Sequence, residues 1–175
     1  MTAEAAWPPP PLRFFELLRA LVAHGVEFVV IGGFALSFHG APRATKDVDI
    51  VPAPGEDNIM RLWRGLEELD AEPQGLEDFR PEGMPVEWSL EGLIEGGGNW
   101  IVHTRFGRLD VMQWVDPFDS YADLRGNAVE EHVEEIGATI LIAGLDDLIA
   151  MKEVAGRDQD RIDITRLRMA HGLEE

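Results

Sequence analysis

The chain contains no cysteine, which excludes disulfides and thiolate metal sites. No His-rich spacing substitutes for them, so a zinc site is not expected. No apolar run approaches the roughly 18–20 residues needed to span a bilayer. Met1 to Pro11 has neither a basic start nor an apolar core, so a secretory signal is not expected and a cytoplasmic location is. Positive charge is scarce as well. Lys and Arg number 15 against 33 Asp and Glu, a formal charge of −18, and Lys46 and Lys152 are the only lysines. A field of that sign opposes broad non-specific binding to nucleic acid and argues against a DNA-binding antitoxin. It favours cationic partners, or simply solubility.

What is present begins with Pro8 to Pro11, a stiff lead-in covering residues 1–11. At 175 residues the remainder suits one compact domain, divided here into a core at 12–142 and a helical tail at 143–175 packed on it. Helical spacing runs from Leu12 to His24, with Gly25 as the stop. Glu27 to Ile31 reads as a strand and Gly33 to Phe38 as a helix opening at a glycine pair. Asp47 to Val51 is the next strand, and Asn58 to Leu69 an amphipathic helix. Residues 70–98 are rich in Glu, Pro and Gly and give no clear pattern. Trp100 to Thr104 and Arg108 to Val115 suggest a hairpin around Arg105-Phe106-Gly107. A second hairpin is expected from Ala128 to Ile136 and Thr139 to Ile142, then helices at Leu145 to Ala155 and Asp160 to Ala170. Helices alternate with both hairpins and single strands, so the class is α/β (α+β) with a mixed sheet.

The chemistry concentrates in two places. In Asp47-Val48-Asp49-Ile50-Val51 polar and apolar residues alternate, so both carboxylates lie on one face of a strand. Carboxylates held side by side repel unless a cation lies between them. Upstream, Gly32-Gly33 ends an apolar run, a turn where backbone amides can approach phosphate. In the second hairpin arm Asp110 shares a face with Met112 and Trp114, where a carboxylate must be paired or metal-bound. Asp110 is therefore the natural third carboxylate, and the combination points to metal-assisted phosphoryl or nucleotidyl transfer. His39 and His103 read as packing or hydrogen-bonding residues. Trp63, Trp88, Trp100 and Trp114 read as anchors, with Trp100, beside Gly96-Gly97-Gly98, the candidate pocket wall.

Gly32-Gly33, Arg43, Thr45, Asp47 and Asp49, then Gly107-Arg108-Leu109-Asp110, resemble the polymerase-beta-like nucleotidyltransferase superfamily. The nearest likeness is to its small prokaryotic, abortive-infection toxin-like members. The stretch from Asp146 to Ile164 looks like the helical tail of that group, and the matches span residues 26–51, 105–115 and 143–166. Many members have a serine where this chain has Gly33, and often a lysine where it has Gln159.

The resemblance implies that Asp47 and Asp49 bind Mg²⁺ (or Mn²⁺) and that Asp110 joins a second metal position and helps deprotonate the acceptor. It implies nucleotide binding by Gly32, Gly33, Arg43, Thr45, Lys46, Lys152 and Arg157. Thr45 also reads as shaping the turn before the strand, Arg43 as an ion-pair partner of one of the two aspartates, and Lys152 as reaching to solvent along an apolar helix. The implied activity is transfer of an NMP from an NTP to a hydroxyl on tRNA, protein or a small molecule. A toxin-like enzyme would have a cognate antitoxin as partner. The alternatives are an aminoglycoside-type enzyme and a non-catalytic nucleotide-binding module.

Overall fold

The computed structural model describes residues 10–79 and 87–173. Most of the proline-rich lead-in and part of the unreadable stretch between 70 and 98 lie outside the described residues. The elements run α1 (Phe14–Ala23), β1 (Phe28–Ile31), α2 (Gly32–Phe38), β2 (Asp47–Pro52), α3 (Glu56–Glu68) and β3 (Glu72–Phe79). They continue with α4 (Leu90–Glu95), β4 (Gly98–Thr104), β5 (Gly107–Met112), α5 (Tyr121–Gly126), β6 (Val129–Val133), β7 (Ala138–Ile142), α6 (Leu145–Ala155) and α7 (Asp158–Ala170).

The strands form one seven-stranded sheet in the order β3-β4-β5-β2-β1-β7-β6. It is mixed: β1 pairs antiparallel with β2 and parallel with β7, while β2 pairs parallel with β5. Alternation along β2 and β5 sorts the faces. Val48, Ile50, Leu109 and Val111 are buried in the core. The intervening Asp47, Asp49, Arg108 and Asp110 point to the opposite side. On β1 all four residues are buried, as a central strand covered on both faces requires. Leu17, Leu18 and Leu21 of α1 join Ile59, Leu62 and Leu66 of α3 in the core, and Leu148, Met151 and Leu167 bring α6 and α7 into the same cluster.

Several elements depart from the sequence expectation. β3 and α4 lie in the stretch that gave no pattern, β4 starts at Gly98 rather than Trp100, β5 ends at Met112 rather than Val115, β6 ends at Val133 rather than Ile136, and α5 was not expected at all. Six residues are too few to show a helical period; Ser120, whose hydroxyl accepts from the Asp123 amide, is its sequence mark. Among the described residues no helix is long and apolar enough to cross a membrane.

Candidate active site

The register between β2 and β5 sets Asp49 directly beside Asp110 and Asp47 beside Arg108. Asp47, Asp49 and Asp110 line one cavity of about 470 Å³ with Gly32, Gly33 and Arg43. Leu148, Met151, Lys152, Arg157 and Asp160 form the far wall, so α6 and the start of α7 close over the carboxylate face of the sheet.

Gly32 is positioned by necessity. Its φ is +66°, and a Cβ there would fall 2.0 Å from Asp49 Oδ2. No side chain fits, so the backbone turn lies directly against the carboxylate. A Cβ on Gly33 would meet Thr45 Cβ and Oγ1 at 2.8 Å, so Thr45 fills the space a residue-33 side chain would need. The Thr45 hydroxyl lies 2.9 Å from Asp47 O and 3.1 Å from Asp47 Oδ1. Thr45 therefore braces the first aspartate and does not line the cavity.

Asp110 is only 2% exposed and is paired with Arg108. Arg108 Nε donates to Asp110 Oδ1 at 2.7 Å and Nη2 to Oδ2 at 2.6 Å, a bidentate pair between residues two apart on one strand. The same Nε lies 3.8 Å from Asp47 Oδ2. A guanidinium thus meets two of the three carboxylates. Arg108 is the site residue that the sequence reading left without a role, although its i, i+2 spacing from Asp110 already put both side chains on one face. Among the described residues no group of three or more His, Asp or Glu is arranged to hold a metal ion. The donor set still suits a hard dication in kind: carboxylate oxygens on adjacent strands, opening into a cavity.

The remaining basic residues divide. Arg43 reaches the cavity but pairs with Asp163 of α7 at 3.4 Å, not with Asp47 or Asp49. Lys46, just before β2, is exposed and outside the cavity lining. Lys152 does not reach to solvent. It is 7% exposed, and its Nζ donates to Asp160 Oδ1 at 3.2 Å and Asp163 Oδ2 at 2.8 Å. Arg157 Nε donates to Asp160 Oδ2 at 2.8 Å, and Gln159 Nε2 to Asp163 Oδ1 at 2.9 Å. The sequence cannot show this network, since it depends on how α6 and α7 pack. Burial raises the Asp160 pKa, but hydrogen bonds from Arg157 and Lys152 and their charges outweigh it and leave the carboxyl below its ordinary value. The carboxylate's stabilising contribution is complete above the unfolded value and fades as pH falls through the lower folded one. The stability gap between the wild-type chain and Asp160→Asn should therefore be widest at neutral pH and close below about pH 4, read from melting temperatures across that range.

The other expectations resolve simply. His39 is buried with Nε2 2.7 Å from Ala143 O, a structural contact. Trp63, Trp88 and Trp100 pack as a cluster, the first pair tilted and the second edge to face, with centroids 5.4 and 5.2 Å apart. Trp100 is therefore a core residue and not a pocket wall. Trp114 takes that place, lining a second cavity.

No protein-family model matches the chain, and no curated protein matches it by sequence. Solved structures do. The solution structure of the antibiotic-resistance factor ANT(2'')-Ia is 14% identical, with a TM-score of 0.57, 91% of this chain and 84% of that chain covered. Its crystal structure with adenylyl-2''-tobramycin gives 14% identity and a TM-score of 0.56, over 90% of this chain and 86% of that one. The lincomycin-bound lincosamide antibiotic adenylyltransferase LnuA gives 13% and 0.57, over 88% and 93%. At these identities the likeness is one of fold, and the chain has the nucleotidyltransferase fold.

Proposed function

We propose that the chain is a metal-dependent nucleotidyltransferase that moves an NMP from an NTP to a hydroxyl-bearing small molecule. The observation that carries this reading is the convergence of Asp47, Asp49 and Asp110 with the Gly32 turn on one cavity. Asp47 and Asp49 would hold Mg²⁺ or Mn²⁺, with Asp110 as the third carboxylate. Such an ion, when bound, neutralises triphosphate charge and polarises the α-phosphoryl group. The chain's own residues supply the rest. Backbone amides of the Gly32-Gly33 turn would face the phosphates, and Arg43, Lys152 and Arg157, three cations sharing the carboxylates of Asp160 and Asp163, leave this wall less acidic than the rest of the protein. The acceptor oxygen bonds to the α-phosphorus as the α–β bridging bond breaks. Pyrophosphate leaves with the electron pair, and the acceptor proton passes to the Asp110 carboxylate.

Two considerations favour a small acceptor over tRNA or protein. A charge of −18 opposes an RNA-sized polyanion. Two proteins of this fold carry antibiotic products or substrates, adenylyl-2''-tobramycin and lincomycin. The toxin-like reading, with its cognate antitoxin, rests on the motif resemblance.

The test is incubation with each α-labelled NTP, Mg²⁺ or Mn²⁺, and cell extract. Label in the small-molecule fraction is expected. Label in RNA or protein would restore the toxin-like reading. Nucleotide binding without any transfer would leave only a binding module.

A further inference from the structure

Beyond the carboxylates the same sheet face continues into a second cavity of about 690 Å³, large enough for a drug-sized molecule. Val115 lines both cavities, so the two are neighbours along the cleft. Val51 repeats the alternation of Asp47 and Asp49 on β2, which places it on the carboxylate face and carries that face into the second cavity.

The walls are mainly apolar. Phe118 and Tyr121 are half-buried and present ring surface, and Trp114 and the fully buried Leu124 complete the lining. These walls are pre-formed. Trp114 Nε1 donates to Gly97 O at 3.3 Å, Gln113 Nε2 to Leu93 O at 2.7 Å, and the Tyr121 hydroxyl to Glu27 Oε1 at 3.3 Å. Gly96 and Gly97, with φ of +74° and +89°, form a bare backbone edge, and a Cβ on Gly97 would meet open space. Among the described residues the charged lining residues are Glu95 and Asp119, both acidic and both exposed.

We infer that this second cavity is the acceptor subsite, and that its ligand is a compact amphipathic molecule bearing a hydroxyl, an apolar ring or arm and a single amine cation. The inference rests on the nucleotidyltransferase reading for the word acceptor, though not for binding itself. Apolar and aromatic walls favour desolvated ring surface over a fully hydroxylated sugar. The two carboxylates and the aromatic faces both attract an ammonium group. They disfavour an anion, whose charge would add to a field already strongly negative. A polycation with no apolar part would leave the ring walls unused. Contact at Val115 brings a hydroxyl on such a ligand toward Asp110, where the proton must go.

The experiment uses ligand-observed saturation-transfer NMR on the full chain with four probes. They are 2-amino-1-phenylethanol, its neutral analogue 1-phenylethanol, the anion mandelate, and the ring-less dication 1,3-diamino-2-propanol. The phenyl amino alcohol should bind most tightly. Its affinity should fall about fivefold in Phe118→Ala and in the doubly neutralised Glu95→Gln, Asp119→Asn chain, the scale of a lost cation–π or ion-pair contact. The double variant changes exposed side chains only, so an unchanged melting temperature separates lost binding from lost fold. Asp49→Asn should bind the probe as the wild-type chain does. Absence of binding, equal binding of mandelate, preference for the dication, or indifference to the variants overturns the inference. So does loss of the probe in Asp49→Asn, which would put it in the carboxylate cavity. Probe binding without any label transfer from NTP would instead overturn the transferase reading and leave this site a binding pocket.

Discussion

Asp49→Asn should reduce NMP transfer by more than about a hundredfold, since even outer partners of a metal ligand cost 10–100-fold when removed. Asp49 is the central carboxylate: its neighbours across the sheet are Ile31, just before the glycine turn, and Asp110. Asparagine keeps the shape that fits against Gly32, where space for even a Cβ is missing. The fold should therefore survive. The carboxylates share that face with Arg108, so the loss of one charge should leave the melting temperature close to the wild-type value while activity collapses. That divergence is the mark of a functional position rather than a structural one. Titration calorimetry of NTP with and without Mg²⁺ gives the second readout. The Mg²⁺-dependent part of the affinity should vanish, and unchanged affinity would sink the metal assignment.

How much of this was legible in the sequence depended on the range of the forces involved. The Asp-Val-Asp alternation predicts a shared face from strand geometry alone, and β2 and β5 carry it out in register. The helix expected from Leu145 to Ala155 has those bounds in the structure, because Gly144 and the left-handed Gly156 stop it locally. Residues 70–98 resisted for an equally physical reason. β3 slips register between Pro73 and Gly75 and again between Leu76 and Asp78, and each slip erases the period of two that a reader relies on. The site divides in the same way. Positions fixed by local geometry, Gly32 and the three aspartates, were readable. Partners fixed by packing were not: Lys152 with Asp160 and Asp163, and Arg43 with Asp163, join elements far apart in sequence. Trp100 and Trp114 exchanged roles because Trp100 lies within β4, opposite the buried Val111, whereas Trp114 follows the end of β5 and is held by Gly97 O beside the second cavity.

Arg108→Met is the substitution whose effect should depend most on Mg²⁺. In the wild-type chain the guanidinium answers the charge of Asp110 with two short bonds and approaches Asp47. Methionine keeps the length and removes the charge. Breaking a fully buried pair costs about 3–5 kcal/mol; with Arg108 34% exposed, about 2–3 kcal/mol is the reasonable expectation without Mg²⁺. For a chain of this size that lowers the melting temperature by roughly 5–10 °C. Added Mg²⁺ should restore much of it, since an ion bound only by the folded state stabilises that state in proportion to the logarithm of its concentration. In the wild-type chain the same addition should do less, because the ion must first displace Arg108 from Asp110. The variant should accordingly bind Mg²⁺ more tightly without nucleotide than the wild-type chain does. Melting curves across a Mg²⁺ series read both effects. A variant as stable as wild type, or one whose lost stability ignores Mg²⁺, would mean that Arg108 does not stand in for the ion, and that these carboxylates need no other cation.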